Sequence, residues 1–242
     1  MLSLAIDIGN TMTHFGVIED REIIFSSKVL TSDLDRPPIT ELSRYDCRYA
    51  GISSVVPNKN SKTISYLDKE LGLDATLISK ELCPIGLSVS NPSEVGADRI
   101  CNSVAAVRIV GGNSIVIDFG SATTFDVIDS TGSFIGGAIC PGMDVAARNL
   151  FDAAALLSDV ELQFPEYVIG KSTDTNLQSG IMFGAVAMVE GMVSMIAQEL
   201  DEKELDIIVT GGFGEIVSNR ISLEHRYDPY LTLRGIDYII SP

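Results

Sequence analysis

The chain has 242 residues, 45% of them hydrophobic and 21% charged, which suffices to bury a core in one large or two smaller domains and excludes a disordered chain. A formal charge of −16 excludes nucleic acid and anionic membranes as main partners, because both demand a basic surface. No uninterrupted apolar run approaches the ~20 residues that span a bilayer, and the N-terminus enters a strand without a basic region and cleavage site, so a cytoplasmic protein is expected.

The first stretch, Leu4 to Glu19 (LAIDIGNTMTHFGVIE), reads as a strand ending at Asp7, a glycine turn, and a second strand from His14 to Ile18. A tight Glu19-Asp20-Arg21 turn leads to a third strand, Glu22 to Lys28, completing an antiparallel meander. Thr31 to Tyr45 carries a short helix near Pro37-Pro38, and Arg48 to Val56 is a buried strand ended by Pro57. Asn58 to Leu71 places Ile64, Leu67 and Leu71 on one helical face, and Ala75 to Ile78 is a further strand. Glu81 to Val95, with Pro84, Gly86 and Pro92, reads as an irregular loop. From Ala97 to Val110 the spacing of Ile100, Val104, Val107 and Ile109 predicts a helix. Asp98 in its first turn suits the helix dipole; Arg99 there does not. Gly111-Gly112-Asn113 is the natural linker, dividing the chain into domains 1–112 and 113–242.

The second half opens with Ile115 to Gly142, IVIDFGSATTFDVIDSTGSFIGGAICPG, which repeats the first stretch. Superposing Asp7 on Asp118 aligns apolar-Ile-Asp-apolar-Gly in both, and one gap later Phe15 to Glu19 lies against Phe125 to Asp129. The aspartates stand 111 positions apart (118 − 7), close to half the chain, so two halves of similar build are expected with a site between them. In each, a strand delivers Asp to its end, and the glycine two residues later tolerates positive φ and lets backbone N–H groups approach an anion. A carboxylate repels phosphate, so its sensible task is to hold a cation, directly or through water, that bridges to phosphates. One copy alone would read as an ordinary hairpin turn; two matched copies favour a site.

Further on, Gly136-Gly137 and Pro141-Gly142 bracket a strand, and Met143 to Leu157 is a helix. Ile169 to Ser179 is polar and glycine-led, and it runs into a long helix carrying Met182, Val186, Val189, Val193 and Ile196. Ile207 to Thr210 is a buried strand ending at Gly211-Gly212, a backbone that admits a flat base or phosphate, or makes a tight turn. Leu231 to Tyr238 closes the chain as a helix or strand. Cys47, Cys83, Cys101 and Cys140 are scattered without CxxC spacing, with only His14 and His225 as imidazoles, so they read as core residues rather than zinc ligands or disulfides.

The two Asp-x-Gly units with a late Thr-Gly-Gly resemble the phosphate and adenosine motifs of the superfamily of actin and the sugar kinases. Asp7-Ile-Gly-Asn-Thr11, Gly96-Ala-Asp-Arg99, Asp118-Phe-Gly-Ser-Ala-Thr-Thr124, Gly136-Gly-Ala-Ile-Cys-Pro-Gly142, Ile169-Gly-Lys-Ser-Thr173 and Gln178-Ser-Gly180 resemble, in order and spacing, the type III pantothenate kinases over nearly the whole chain. Departures are Ser121 for the usual threonine, Cys140 for alanine, and Val89 where a pocket tyrosine commonly stands.

The resemblance implies an α/β fold of two duplicated, ribonuclease H-like (actin-like ATPase) domains with the active site in the cleft between them. It implies ATP-dependent phosphorylation of pantothenate, the first step of coenzyme A biosynthesis. Asp7, Ile8, Gly9, Asn10, Thr11, Met12, Thr13 and His14 would form the first nucleotide-phosphate loop, and Ser121 would contact ATP from the second. Asp118 would bind the monovalent cation, potassium or ammonium, and Mg²⁺ would accompany ATP. Gly96, Ala97, Asp98 and Arg99 would line the pantothenate pocket, with Asp98 the proton acceptor, Arg99 on the substrate carboxylate and Thr173 a further contact. A homodimer is implied, and the methionines and valines of the apolar helix Met182 to Ile196 suit a partner surface as readily as a core within the subunit. The rival readings are a kinase for another small hydroxylated substrate and a non-catalytic regulator, since some relatives were described as transcriptional accessory factors.

Overall fold

In the computed structural model, which describes residues 1–34, 37–153, 159–202 and 204–241, the chain forms two five-stranded sheets that repeat one plan. In the first, β1 (Leu2–Ile8), β2 (Met12–Glu19) and β3 (Glu22–Leu30) make the expected meander, while β4 (Tyr49–Ser54) and β5 (Ala75–Leu77) extend it in parallel beyond β1. The turn from β2 to β3 holds Asp20 and Arg21 both at positive φ (49° and 71°), the twist that a two-residue hairpin demands. Between β3 and β4 lies α1 (Ile39–Leu42), after Pro37-Pro38, and α2 (Pro57–Leu71) starts on Pro57, whose fixed φ suits a first helical position. Alternation along β1 sends Leu4, Ile6 and Ile8 into a core with Phe15, Val17 and Leu67 of α2, and turns Ser3, Ala5 and Asp7 to the other face. There Ala5 packs with Ile100, Cys101 and Val104 of α3 (Ala97–Val110).

The second sheet has the order β10-β9-β6-β7-β8, built from β6 (Ser114–Phe119), β7 (Ala122–Ile128), β8 (Phe134–Pro141), β9 (Asp206–Gly211) and the short β10 (Arg226–Tyr227). Here β8 runs through Gly136-Gly137 instead of starting after them. Both glycines lie at positive φ (126° and 152°), which a residue without Cβ adopts inside a strand. Three helices follow: α4 (Met143–Ala153), α5 (Thr173–Leu200) and α6 (Gly214–Ser218). The remainder of the helix expected to Leu157, residues 154–158, lies outside the described residues.

The polar segment Ile169 to Ser179 is not all loop. The Ser172 and Thr175 side chains form a reciprocal capping box, so the helix begins at Thr173. By length and composition α5 could reach across a bilayer, yet Met182, Val186, Val189 and Val193 are core residues packed with Ile115, Ile117, Phe119 and Phe125. Glu190 on the same helix accepts hydrogen bonds from Ser222.

The last helix, α7 (Leu231–Ile240), packs on the first sheet although it lies at the far end of the chain. One compact unit comprises Met1–Gly112, Ile128–Gly136 and Tyr230–Pro242; the other comprises Asn113–Val127 and Gly137–Pro229. The buried face of α7, Leu231, Leu233 and Ile236, lies on the first sheet because three glycines leave room for it. A Cβ at Gly51 would stand 2.6 Å from Ile236, one at Gly16 2.7 Å from Leu233, and one at Gly235 2.0 Å from the Cys101 carbonyl of α3. A polar clasp adds to this. Asp237, 4% exposed, accepts from Ser3 Oγ (2.5 Å) and Ser241 Oγ (2.9 Å) and pairs with Arg21 at 2.7 Å.

Candidate active site

The first turn is held by a row of side chains. Asp7 on β1 registers with His14 on β2 and Ser53 on β4, and His14 registers in turn with Lys28 on β3. Ser53 Oγ donates to Asp7 Oδ1 at 2.9 Å. Beyond Ile8, Gly9 N–H closes the turn on the Met12 carbonyl at 3.1 Å. Thr31 braces it from β3's end: its Oγ1 donates to the Gly9 carbonyl (2.7 Å), its N–H to the Thr11 carbonyl (2.9 Å), and its Oγ1 lies 3.0 Å from Thr13 Oγ1.

Of the expected nucleotide loop, Asn10, Thr11 and Met12 are exposed, whereas the Ile8 and Thr13 side chains are buried in the unit. Those two positions offer a ligand only backbone. Contrary to expectation, neither Gly9 nor Gly120 adopts positive φ. Glycine serves close approach instead: a Cβ at Gly9 would stand 3.0 Å from the Met12 carbonyl. His14, beside the Tyr230 ring (5.7 Å), has its pKa lowered to about 4, by burial first and Lys28 second, and is a neutral imidazole at physiological pH.

In the same unit, α3 begins at Ala97 with Gly96 as its cap. The Asp98 carboxylate accepts from the Arg99 N–H at 2.8 Å, and a Cβ on Gly96 would come within 2.4 Å of Asp98 Oδ1, so a side chain there would displace that carboxylate. Arg99 stacks its guanidinium over Phe134 at 5.2 Å. Phe134 is tied to the loop before α3, its N–H donating to the Gly86 carbonyl and its carbonyl accepting from Ser88 N–H. Val89, at the position of the usual tyrosine, lies 3.9 Å from where a Gly136 Cβ would stand.

One turn along α3, the fully buried Cys101 has its thiol pKa raised well above the ordinary range by burial, then by Asp7 and Asp98, with a Ser53 hydrogen bond opposing. The thiol therefore records that the first-turn aspartate and the α3 aspartate converge on one neighbourhood. Sequence reasoning placed Cys101 in the core but missed this, and missed Ser53 altogether. The signal available was that Asp98 and Cys101 share a helical face.

In the second unit, Asp118 on β6 registers with Thr210 on β9. Gly120 N–H donates to the Ala122 carbonyl at 3.0 Å, and Gly142 N–H to the Ser121 carbonyl at 3.1 Å, leaving Ser121 exposed at the tip. Gly211 has φ +91°, and a Cβ there would stand 2.5 Å from both Asp118 Oδ1 and Phe119 N. Thr173, the first residue of α5, is exposed in this unit. Among the described residues no group of three or more His, Cys, Asp or Glu could hold a metal ion. Single carboxylates at strand ends fit cations whose remaining ligands come from phosphate and water, which is how Mg²⁺ is usually bound beside a nucleotide.

Two sheets of this plan define the class as the actin-like ATPase and sugar-kinase fold. The chain is similar to the glucokinase of the ROK family from Streptomyces griseus, solved with glucose and AMPPNP (TM-score 0.55, 13% identity, 99% of this chain and 99% of that one). It is also similar to a Campylobacter jejuni protein described as a transcriptional activator of the Baf family (TM-score 0.61, 20% identity, 98% and 96% covered). At those identities the likeness concerns the fold alone. The family model for type III pantothenate kinase matches residues 3–195. The type III pantothenate kinases of Sulfurihydrogenibium sp. (strain YO3AOP1) and Persephonella marina are each 38% identical, covering 98% of this chain and 98% of the relative. The chain belongs to the type III pantothenate kinase family.

Proposed function

We propose that this chain transfers the γ-phosphoryl group of ATP to the primary hydroxyl of pantothenate, giving 4′-phosphopantothenate at the start of coenzyme A synthesis. The observation that carries the reading is the match to the type III pantothenate kinase model over residues 3–195, and the influence of both Asp7 and Asp98 on the buried Cys101 supports it. Phosphoryl transfer asks for positioning and charge neutralisation more than for covalent participation. Asp98 accepts the hydroxyl proton, its carboxylate held at the helix start by the Arg99 N–H. Arg99, steadied on Phe134, meets the pantothenate carboxylate, with Gly96, Ala97 and Thr173 as further contacts.

The turn from Gly9 through the exposed Asn10, Thr11 and Met12, with Asp7 and His14 behind it, takes the nucleotide phosphates, and the exposed Ser121 contacts ATP from the second turn. His14 is neutral, so it acts as a hydrogen-bonding group and adds no charge. When bound, Mg²⁺ neutralises phosphate charge; Asp7 is the carboxylate that holds it, directly or through water, while Asp118 holds potassium or ammonium. Met195 on α5 is 58% exposed and Ile169 just before that helix 81%, apolar surface that suits a homodimer. Light scattering should then give about twice 26.0 kDa.

The test is ATP-dependent phosphorylation of pantothenate by the purified protein in potassium and in sodium. Activity should be low in sodium and rise with potassium or ammonium. Equal rates would remove the monovalent site, phosphorylation of another alcohol in preference would change the substrate, and nucleotide binding without turnover would make the chain a regulator.

A further inference from the structure

The duplicated plan places a hydroxyl beside each of the two aspartates, and neither hydroxyl has an assigned task. Ser53 is the parallel-strand register partner of Asp7, and Thr210 is the parallel-strand register partner of Asp118. Both are buried, at 0% and 2% exposure, and each directly follows an apolar pair, Gly51-Ile52 and Ile208-Val209. Any small residue would fill these positions, so two hydroxyls at one register point in two units call for a reason tied to the carboxylates.

For the first unit the geometry supplies it. Ser53 Oγ donates to Asp7 Oδ1 at 2.9 Å. A carboxylate on a strand end turns about its last torsion at little cost. A hydrogen bond to one oxygen from a rigid neighbouring strand fixes that rotation and so fixes where the other oxygen is presented.

We propose that Ser53 is a positioning residue that orients Asp7 for a divalent cation travelling with the nucleotide, and that Thr210 is its counterpart beside Asp118. The inference rests on the assignment of that cation to Asp7. Outer partners that orient a ligating carboxylate typically account for roughly 10–100-fold in metal affinity.

The test uses Mn²⁺ as the probe, its affinity for the full-length protein with saturating AMPPNP read by electron paramagnetic resonance, a readout independent of turnover, with steady-state kinetics measured beside it. Ser53→Ala removes one oxygen and adds no atom. It should weaken Mn²⁺ binding roughly 10–100-fold while the KM for pantothenate is unchanged. Thr210→Val, a replacement of equal size, should leave Mn²⁺ affinity at the wild-type value and raise the potassium concentration that gives half-activation. Asp7→Asn is the reference. If Asp7→Asn binds Mn²⁺ as tightly as wild type, the cation does not belong to Asp7. If Asp7→Asn weakens binding but Ser53→Ala does not, Ser53 has no positioning role and the inference falls. Equal loss of Mn²⁺ affinity in Ser53→Ala and Thr210→Val would mark a general loosening of the fold, and would also overturn it.

Discussion

The turns that follow Asp7 and Asp118 carry the same Asp-x-Gly on the same strand-turn-strand frame, yet they are braced by different means. Between β1 and β2 the connection is Gly9-Asn10-Thr11, and side-chain hydroxyls hold it: Thr31 bonds the Gly9 carbonyl and meets Thr13. Between β6 and β7 it is one residue shorter, Gly120-Ser121, which is the single gap in the sequence repeat. There the bracing is backbone on backbone. Gly142 presses on the Gly120 and Ser121 carbonyls, where a Cβ would stand 2.4 Å away, and Gly211 presses on Asp118 and Phe119. The first turn depends on hydroxyl chemistry and the second on the absence of side chains, so one architecture fails in two different ways.

The largest expected effect comes from a residue outside both turns and shows what the turns do not do. Asp98→Asn keeps shape and a hydrogen-bonding group but cannot take a proton, so kcat should fall roughly 10²–10⁴-fold, toward the lower end if the proton moves late. AMPPNP affinity by calorimetry should stay near wild type, because Asp7 and Asp118 are untouched. A helix-dipole role alone is worth about 0.3–1 kcal/mol of stability and no activity. Near-wild-type kcat would therefore rule out Asp98 as the base.

Next in size, Gly211→Ala strikes the backbone-braced turn. It forces φ +91° on an alanine and sets a Cβ 2.5 Å from Phe119 N. Strain and overpacking together should cost about 2–4 kcal/mol in urea unfolding. Gly9→Ala, with ordinary φ and a 3.0 Å approach to one carbonyl, should cost markedly less. Equal losses would mean that the two turns are braced alike.

A pH experiment separates the halves again, at about half that size. His14 aligns with Thr124 in the repeat, so only the first half carries an imidazole there. Its folded pKa of about 4 lies below the 6.5 of the unfolded chain. Between those values the unfolded state binds more protons, so His14 contributes stability that is complete above pH 6.5 and is lost as pH falls toward 4. At pH 5 the loss is about 2 kcal/mol. His14→Thr should remove this dependence, so the difference from wild type in urea unfolding should shift by that amount between pH 7.5 and pH 5. A constant difference would show that His14 titrates normally.

The frame of both turns was legible because strand alternation and the Asp-x-Gly repeat are local signals, and the helix from Ala97 to Val110 was legible from its 3.6-residue period. What was hidden depends on partners distant in sequence. Nothing local says that α7 closes on the first sheet; that follows from Gly16, Gly51 and Gly235 fitting Leu233, Ile236 and Cys101. The start of α5 was misread because the Ser172–Thr175 capping box looks like loop composition. Thr31 and Ser53 were missed for the same reason as α7. Their meaning lies in register with Gly9 and Asp7, which only the folded sheet provides.

The smallest expected effect tests the hydroxyl brace itself. Thr31 is 3% exposed and Thr13 fully buried, and each lies within 3.0 Å of the other's hydroxyl oxygen. Thr31→Val keeps the shape but removes the donor to the Gly9 carbonyl and the partner of Thr13. The carbonyl stands in a half-buried turn where water can replace the lost donor, so the cost should be about 1 kcal/mol. Most of it should come from the stranded Thr13 hydroxyl, because a buried polar group without a partner bears its full desolvation. Thr13→Val added to Thr31→Val then removes the stranded group. The double variant should be no less stable than Thr31→Val alone, a coupling of roughly 0.5–1 kcal/mol in a double-mutant cycle. Urea unfolding of the four proteins measures it. If the two costs simply add, the hydroxyls do not act as a pair, and the first turn is held by its backbone just as the second is.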